Sequence, residues 1–116
     1  MGLSESLTIY DVIITPYAEQ LLNSYIDYIQ FTLMNEQAAD NVLQDILDTA
    51  DELERVAGSL PYCKKRSLRN LGYRKINFLR HSYVMLYVID GNTAYVDAIY
   101  HQSQDYENIF ESELGI

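Results

Sequence analysis

The chain has 116 residues, of which 48% are hydrophobic and 22% charged, and it carries a formal net charge of −9. This length and composition predict one soluble globular domain over residues 1–116 with a modest core of its own. A single cysteine excludes an internal disulfide, which fits a reducing cytosol. The N-terminus lacks the basic start of a signal peptide and no apolar run is long enough to span a bilayer, so we expect a cytoplasmic protein without membrane contact.

The charges are segregated along the chain. All eight lysines and arginines lie within residues 55–80, which we call the basic segment, and residues 55–89 contain no acidic residue. Residues 1–54 carry eleven acidic residues, residues 90–116 carry six, and neither region has a lysine or arginine. Because solvated surfaces usually mix both signs, the segment predicts a binding surface for an acidic protein segment or a nucleic acid. The alternative is that its charges only offset the acidic helices within the fold.

The first half of the chain predicts one strand and two helices. Residues 7–14 are rich in β-branched and aromatic residues, which favours a strand. Thr15, followed by proline, forms a helix start, and apolar residues recur at helical spacing over residues 17–34. Asn35 can cap a second helix with one apolar face, which stops near Gly58. The short link between the helices predicts an antiparallel helical hairpin.

The second half predicts a loop, three strands and a short acidic helix in the tail. Residues 62–74 of the basic segment lack clear periodicity and are predicted to be mostly loop. The strands are expected at about residues 75–79, 83–89 and 93–100. Gly91-Asn92 predicts a two-residue hairpin loop between the last two strands, because both residues tolerate positive φ.

The order β-α-α-β-β-β predicts an α+β fold in which a helical hairpin packs on a small, mainly antiparallel sheet. Alternation along the last hairpin sorts its side chains into two faces. One face is expected to pack under the helices, and it holds Tyr83, Met85, Tyr87, Ile89, Ala94, Val96, Ala98 and Tyr100. The other is expected to be open, and it holds Val84, Leu86, Val88, Tyr95, Asp97, Ile99 and His101.

Few residues carry a chemical signal. Tyr100 and His101 at the end of the last strand are a candidate catalytic pair, since histidine can act as acid or base near neutral pH. The competing interpretation is a structural hydrogen-bonding role. Cys63 has basic neighbours that could lower its pKa, but a lone cysteine is more often incidental. The acidic residues of the second helix, Asp45 among them, are expected to point largely to solvent, so neither a metal nor a cofactor is predicted.

Three runs of residues suggest a family. They are Gly72-Tyr73-Arg74-Lys75 entering the sheet, Tyr83-Val84-Met85-Leu86-Tyr87 in the third strand, and Ile99-Tyr100-His101-Gln102 followed by Asp105-Tyr106-Glu107. Together with the order of elements, they resemble the RelE/ParE superfamily, the toxins of type II toxin–antitoxin modules. The resemblance covers nearly the whole chain, and the last run is more similar to ParE than to RelE.

The resemblance implies one of two activities. ParE-like members poison DNA gyrase without nuclease chemistry, whereas RelE-like members cut mRNA on the ribosome. Two positions that are basic in the nucleases hold Asn77 and Val84 here. The leading hypothesis is therefore a ParE-like toxin of a plasmid-stabilisation module; the alternatives are a ribosome-dependent endoribonuclease and an inactive homologue that only binds antitoxin. For a nuclease, the catalytic residues would be His101, Tyr100, Arg74 and Lys75.

The resemblance also implies partners. These are a cognate antitoxin and DNA gyrase, or the ribosome and mRNA for a nuclease. The antitoxin is expected to wrap the helical hairpin and sheet and to place acidic residues near the basic segment. The residues expected to contact it are Lys64, Lys65, Arg66 and Arg80. The residues expected to contact the target are Arg69, Arg74, Lys75, Tyr100, His101, Gln102 and Asp105.

Overall fold

A helical hairpin covers one face of a four-stranded sheet, and a C-terminal helix and part of the basic segment cover the other. The computed structural model describes residues 9–116, so residues 7–8 of the predicted first strand lie outside the described residues. None of the helices in that range is long and apolar enough to cross a membrane. The elements are β1 (Asp11–Ile14), α1 (Pro16–Asp27), α2 (Glu36–Val56), α3 (Arg66–Asn70), β2 (Arg74–Asn77), β3 (Tyr83–Asp90), β4 (Thr93–His101) and α4 (Tyr106–Leu114). They confirm the predicted α+β fold.

Side-chain caps determine where both helices of the hairpin begin. The Thr15 hydroxyl accepts a hydrogen bond of 3.4 Å from the backbone N–H three residues on, and proline follows it. The Asn35 side chain accepts an equivalent bond of 3.0 Å. Both caps confirm the prediction. Between them the first helix continues through a π-helical turn at Tyr28–Thr32, and α2 runs into a short 3₁₀ turn at Ala57–Ser59.

The sheet has the strand order β1-β4-β3-β2. β1 lies parallel to β4, whereas β2, β3 and β4 pair in antiparallel fashion, which confirms a mainly antiparallel sheet. Gly91-Asn92 joins β3 to β4, as predicted, and Gly91 has a φ of 62°. This left-handed conformation is one that glycine adopts without the steric cost a Cβ would bring.

A β-bulge at Asp97 interrupts the pairing of β3 with β4. Near the hairpin loop the register is as predicted, with Tyr87 opposite Val96. The next residue of β3, Leu86, pairs with Ala98, so Asp97 is an extra residue on β4. A residue added to one strand inverts the side-chain alternation beyond it.

The bulge makes the predicted faces wrong at the end of β4. Ile99 packs in the core under the helical hairpin, whereas Ala98 and Tyr100 join the core on the opposite face. The prediction of an open face is also wrong, because Val84 and Leu86 on that face are fully buried. Both faces of the central strands are therefore covered.

A second core lies on the α4 side of the sheet and includes part of the segment that was predicted to be mostly loop. Leu68 of α3 is fully buried there, and the ring of Tyr73 packs edge-on against Phe110 of α4 with 4.9 Å between centroids. α3 and α4 thus pack over the same face of the sheet. The prediction that residues 62–74 are mostly loop missed the helix at Arg66–Asn70. The buried residues of this core are Cys63, Leu68, Tyr73, Val84, Leu86, Ala98, Tyr100 and Phe110.

Candidate functional site

The cations of the basic segment fall into two groups. Four of them form ion pairs within the described part of the chain. These pairs are Arg55 with Glu52, Lys65 with Glu111, Lys75 with Glu107, and Arg80 with both Asp45 and Asp48. The other four have no carboxylate within ion-pairing distance among residues 9–116; they are Lys64, Arg66, Arg69 and Arg74. Internal charge compensation therefore accounts for half of the segment.

Three of the unpaired cations, Lys64, Arg66 and Arg69, lie on and beside α3, and we call them the α3 patch. All three residues are exposed. The backbone beneath them is held by Glu107 of α4, whose carboxylate accepts hydrogen bonds from the N–H groups of Lys64 at 3.2 Å and Lys65 at 2.7 Å. The Arg69 guanidinium donates to the Lys64 carbonyl at 2.9 Å. The patch is thus an anchored cationic surface.

The other end of the basic segment is bound to Asp45 of α2, which is fully buried. Its carboxylate accepts hydrogen bonds from the backbone N–H groups of Arg80 at 3.1 Å and His81 at 2.8 Å, and from His81 Nδ1 at 2.7 Å. Burial acts to raise the pKa of Asp45, but these hydrogen bonds hold it below its ordinary value. Thr49, one turn on, accepts a bond from the Leu79 N–H at 3.2 Å. The prediction that Asp45 points to solvent is wrong.

Arg74 and Lys75 of β2 lie on opposite faces of the sheet. The Arg74 guanidinium stacks 4.0 Å from the ring centre of Tyr62 and donates to its hydroxyl at 2.8 Å. Lys75 Nζ donates to the Tyr106 hydroxyl at 3.0 Å and lies 3.8 Å from a Glu107 oxygen. Burial acts to lower the pKa of Lys75, but Tyr106 and Glu107 raise it above its ordinary value. Both cations are thus held within the fold.

Tyr100 and His101 lie on opposite sides of the sheet as well. Tyr100 is only 2% exposed, and burial raises its pKa. His101 is half-buried on the helical-hairpin side, where its ring packs edge-on against Tyr83 with 5.1 Å between centroids. His101 Nδ1 is hydrogen bonded to the Ser103 hydroxyl at 2.7 Å.

The four nuclease candidates are consequently divided between the two faces. Lys75 and Tyr100 lie on the α4 side, and Arg74 and His101 lie on the helical-hairpin side. RNA cleavage requires a base for the 2′-hydroxyl and cations for the developing phosphorane charge on one accessible surface. The structure does not bring these four side chains together in that way.

Gln102 and Asp105 occupy the exposed turn between β4 and α4. The Gln102 amide donates to the Tyr83 carbonyl at 3.0 Å. Asp105 stands at the position before α4 and accepts a bond from the Asn108 amide at 2.7 Å. Both residues therefore help to shape the turn while remaining accessible.

Cys63 is a buried residue of the basic segment, with 1% of its surface exposed. Burial, and then the carboxylate of Glu107, raise the pKa of its thiol to about 12. Lys75 acts to lower this pKa but is outweighed, so the group stays protonated near neutral pH. A thiol in this state is a poor nucleophile.

The sequence analysis did not predict that two carboxylates of α4 hold the basic segment in place. Glu107 binds its backbone, and Glu111 lies 3.5 Å from Lys65 Nζ and accepts a hydrogen bond from the Ser67 hydroxyl. Their spacing of four residues on a predicted helix places them on one face of that helix. The four-residue spacing of Glu107 and Glu111 was therefore the sequence signal that could have predicted an acidic face of α4 against the basic segment.

Comparison with known proteins gives one family. A model of the family described as ParE toxin of type II toxin-antitoxin system, parDE, matches residues 12–106. The fold resembles a structure of the chromosomal ParDE system from P. aeruginosa, with 18% identity, a TM-score of 0.66, and coverage of 80% of this chain and 96% of that one. It also resembles the RelBE2 toxin–antitoxin complex from Mycobacterium tuberculosis, with 20% identity, a TM-score of 0.59, and coverage of 84% and 95%. No curated protein matches the sequence.

Proposed function

Because the chain belongs to the ParE toxin family of type II toxin–antitoxin systems, we propose that it is the toxin of such a module, arrests growth by binding DNA gyrase, and is neutralised by a cognate antitoxin. The observation that carries the choice of a binding protein over a nuclease is the division of Arg74, Lys75, Tyr100 and His101 between two faces of the sheet. A toxin with this target acts in the cytoplasm.

The α3 patch is the proposed centre of the contact with gyrase. Arg69 is one of the three residues of this patch. All three are exposed cations, and none of them has a carboxylate partner within residues 9–116. Uncompensated surface charge steers association and fixes orientation more than it adds affinity. Gln102 and Asp105 supply exposed polar groups for the same contact. Tyr100 is buried, so it would support this contact surface without touching gyrase itself.

The antitoxin would neutralise the toxin by covering the same cations. Lys64 and Arg66 have no competing carboxylate in the described chain, so an acidic antitoxin segment gains new ion pairs there without breaking old ones. Lys65 and Arg80 are already paired with Glu111 and Asp45, so the antitoxin gains less from them. Antitoxin and gyrase would thus compete for the α3 patch.

A supercoiling assay with purified gyrase tests this proposal. We expect the wild-type chain to inhibit supercoiling and to trap cleaved plasmid, and we expect Arg69→Gln to weaken inhibition with increasing effect at low salt, where surface charges are least screened. Arg55→Gln is the matched control, because Arg55 is an exposed cation already paired with Glu52. Normal supercoiling with excess folded toxin would rule out gyrase as the target.

A second readout distinguishes the nuclease. Transcripts are mapped in translating cells that express the toxin or its His101→Ala variant. We expect no new cleavage sites with either protein. Cleavage that disappears in His101→Ala would overturn the proposed mechanism in favour of an endoribonuclease.

A further inference from the structure

A cavity of about 400 Å³ lies between the turn of the helical hairpin, the start of α2 and the adjoining ends of β3 and β4. Its apolar wall includes Ile29, Leu33 and Val42, and its polar side includes His81 and His101. Leu33 is 55% exposed, so the wall keeps apolar surface that a ligand can cover. Volumes of about 300–1,000 Å³ and a few polar groups beside an apolar wall are typical of small-molecule sites. The cavity thus has the size and composition of a binding site.

His81 offers a hydrogen-bond acceptor to this cavity. Its Nδ1 lies 2.7 Å from the carboxylate of Asp45, whose low pKa keeps it ionised near neutral pH, so that it can only accept. Nδ1 therefore carries the hydrogen of the neutral ring, and Nε2 keeps a lone pair. Within residues 9–116 the hydrogen bonds of this ring involve Nδ1 alone. The fully buried Asp45 also accepts a bond of 2.8 Å from the His81 backbone N–H, which holds the ring in place.

His101 offers a hydrogen-bond donor to the same cavity. Its Nδ1 accepts a bond of 3.1 Å from the Ser103 backbone N–H, which can only donate. The hydrogen of the neutral His101 ring is therefore on Nε2. The Ser103 hydroxyl lies 2.7 Å from the same Nδ1 atom, and the ring packs edge-on against Tyr83, so its orientation is fixed. In the described part of the chain, Nε2–H of His101 has no hydrogen-bond partner.

The two rings therefore present opposite hydrogen-bonding groups. A metal ion needs a lone pair from each imidazole, and His101 does not present one at Nε2. Among residues 9–116 no cluster of three or more histidine, cysteine or acidic side chains is placed to hold a metal. A carboxylate has no hydrogen to donate to the lone pair of His81. A carboxamide matches both rings, because its N–H donates and its oxygen accepts.

We propose that this cavity binds a carboxamide group carried on an apolar body. The amide N–H donates to Nε2 of His81, the amide oxygen accepts from Nε2–H of His101, and the apolar body covers Leu33. A glutamine side chain of a partner protein and a free small amide share this chemistry. The site lies on the helical-hairpin side of the sheet, opposite the core that includes α3, and it does not depend on gyrase being the target.

Titration of the ¹⁵N-labelled chain with isocaproamide tests this site, at about pH 8 because an acceptor nitrogen requires a neutral imidazole. We expect saturable shifts of the backbone amide signals in residues 33–35, 81–83 and 101–103. Isocaproate has the same apolar body without an N–H donor, so it should bind at least about tenfold more weakly. Acetamide has the amide without the body and should also bind more weakly. No saturable shift, or equal binding of isocaproate, would overturn the carboxamide, and equal binding of acetamide would overturn the apolar body.

Asparagine variants of the two histidines test the hydrogen-bonding assignment. The asparagine amide lies near the position of Nδ1, so His81→Asn and His101→Asn keep a partner for Asp45 and Ser103 while they remove Nε2. Each variant should weaken isocaproamide binding about tenfold. Arg55→Gln is the control, because this exposed cation does not line the cavity, and it should bind like the wild type. Wild-type affinity in both histidine variants, or an equal loss in Arg55→Gln, would overturn the assignment.

Further probes of the wild-type chain identify the source of the carboxamide and do not depend on a variant folding. N-acetyl-L-glutamine N-methylamide carries a glutamine side chain in a peptide frame, so tighter binding of this probe than of isocaproamide supports a partner protein. Tighter binding of isocaproamide supports a free small amide, and either result supports the ligand chemistry. The base of uridine also has an adjacent N–H and C=O, but it lacks an apolar body. Binding of uridine more tightly than both amides would overturn the proposal in favour of a nucleobase.

Discussion

The two ends of the basic segment hold their charges in opposite ways. At the Arg80 end, a buried carboxylate of α2 binds the backbone and side chains of Arg80 and His81. At the α3 end, the carboxylate of Glu107 binds the backbone of Lys64 and Lys65, and the side chains of the α3 patch stay exposed without carboxylate partners in the described chain. A run of like charges in a sequence is therefore not one surface, since part of it stabilises the fold and part is free to bind.

Removing the buried carboxylate should have the largest effect on stability. We expect Asp45→Asn to lower the free energy of unfolding by about 3 kcal/mol, because it removes charge-assisted hydrogen bonds inside the protein. Asp48→Asn is the control, because Asp48 bonds only to two exposed side chains, those of Arg80 and Gln44, and its effect should be much smaller. Urea denaturation measures both. Equal losses of stability would mean that the Arg80 end is held only by surface ion pairs. They would contradict the claim that the two ends of the basic segment hold their charges in different ways.

Acid should reduce the contribution of Asp45 to the free energy of unfolding, within a pH window set by the pKa of its carboxyl group. Since the pKa of Asp45 is lowered in the folded protein, the unfolded chain binds this proton more tightly. The contribution of Asp45 is complete above its ordinary pKa of 3.8 and is lost as the pH falls through the lower folded-state value. We expect the difference in unfolding free energy between wild type and Asp45→Asn to narrow below about pH 4. A difference that stays constant to about pH 2 would contradict this assignment.

A smaller loss of stability is expected when Glu107, whose carboxylate binds the backbone of the α3 end, is removed. Glu107→Ala deletes the acceptor of two backbone hydrogen bonds, so the free energy of unfolding should fall by about 2 kcal/mol. Amide hydrogen exchange at Lys64 and Lys65 should become faster, because their N–H groups lose their partner. Glu113→Ala, an exposed position of the same helix, should change stability by no more than about 0.5 kcal/mol. Unchanged exchange in Glu107→Ala would show that something else fixes the α3 end.

Local signals were sufficient for the helical hairpin and the last turn. Thr15 and Asn35 cap their helices because a side-chain oxygen one turn before an apolar run satisfies N–H groups that the helix leaves free. Gly91-Asn92 makes the hairpin loop because its conformation requires residues that accept positive φ. Each of these features depends only on neighbours in the sequence.

The faces of β4 could not be predicted because the bulge leaves no local signature. Ala98, Ile99 and Tyr100 are all apolar, so either assignment of faces places apolar side chains in a core. The choice depends on α4 and the basic segment, which cover the second face and bury both Val84 and Leu86. That long-range packing decides which face Tyr100 and His101 each take, whereas their separation follows already from the alternation of neighbouring residues along a strand.

The buried role of Asp45 was hidden for a different reason. Its spacing from Val42, Ile46 and Thr49 places it on the apolar face of α2, where the hydrophobic pattern would normally exclude a carboxylate. Only the loop after β2 shows why it is tolerated, because Arg80 and His81 bring the donors that a buried charge requires.

Variants of the two ends test the central claim most directly. The affinity for purified gyrase and the free energy of unfolding are measured for Arg66→Gln/Arg69→Gln and for Arg80→Gln. We predict that the double variant keeps its stability within about 0.5 kcal/mol and binds gyrase at least about tenfold more weakly. Arg80→Gln should lose about 1 kcal/mol of stability and keep its affinity. Wild-type affinity in the double variant, or an equal loss of affinity in both proteins, would contradict the assignment of the α3 patch as the binding surface.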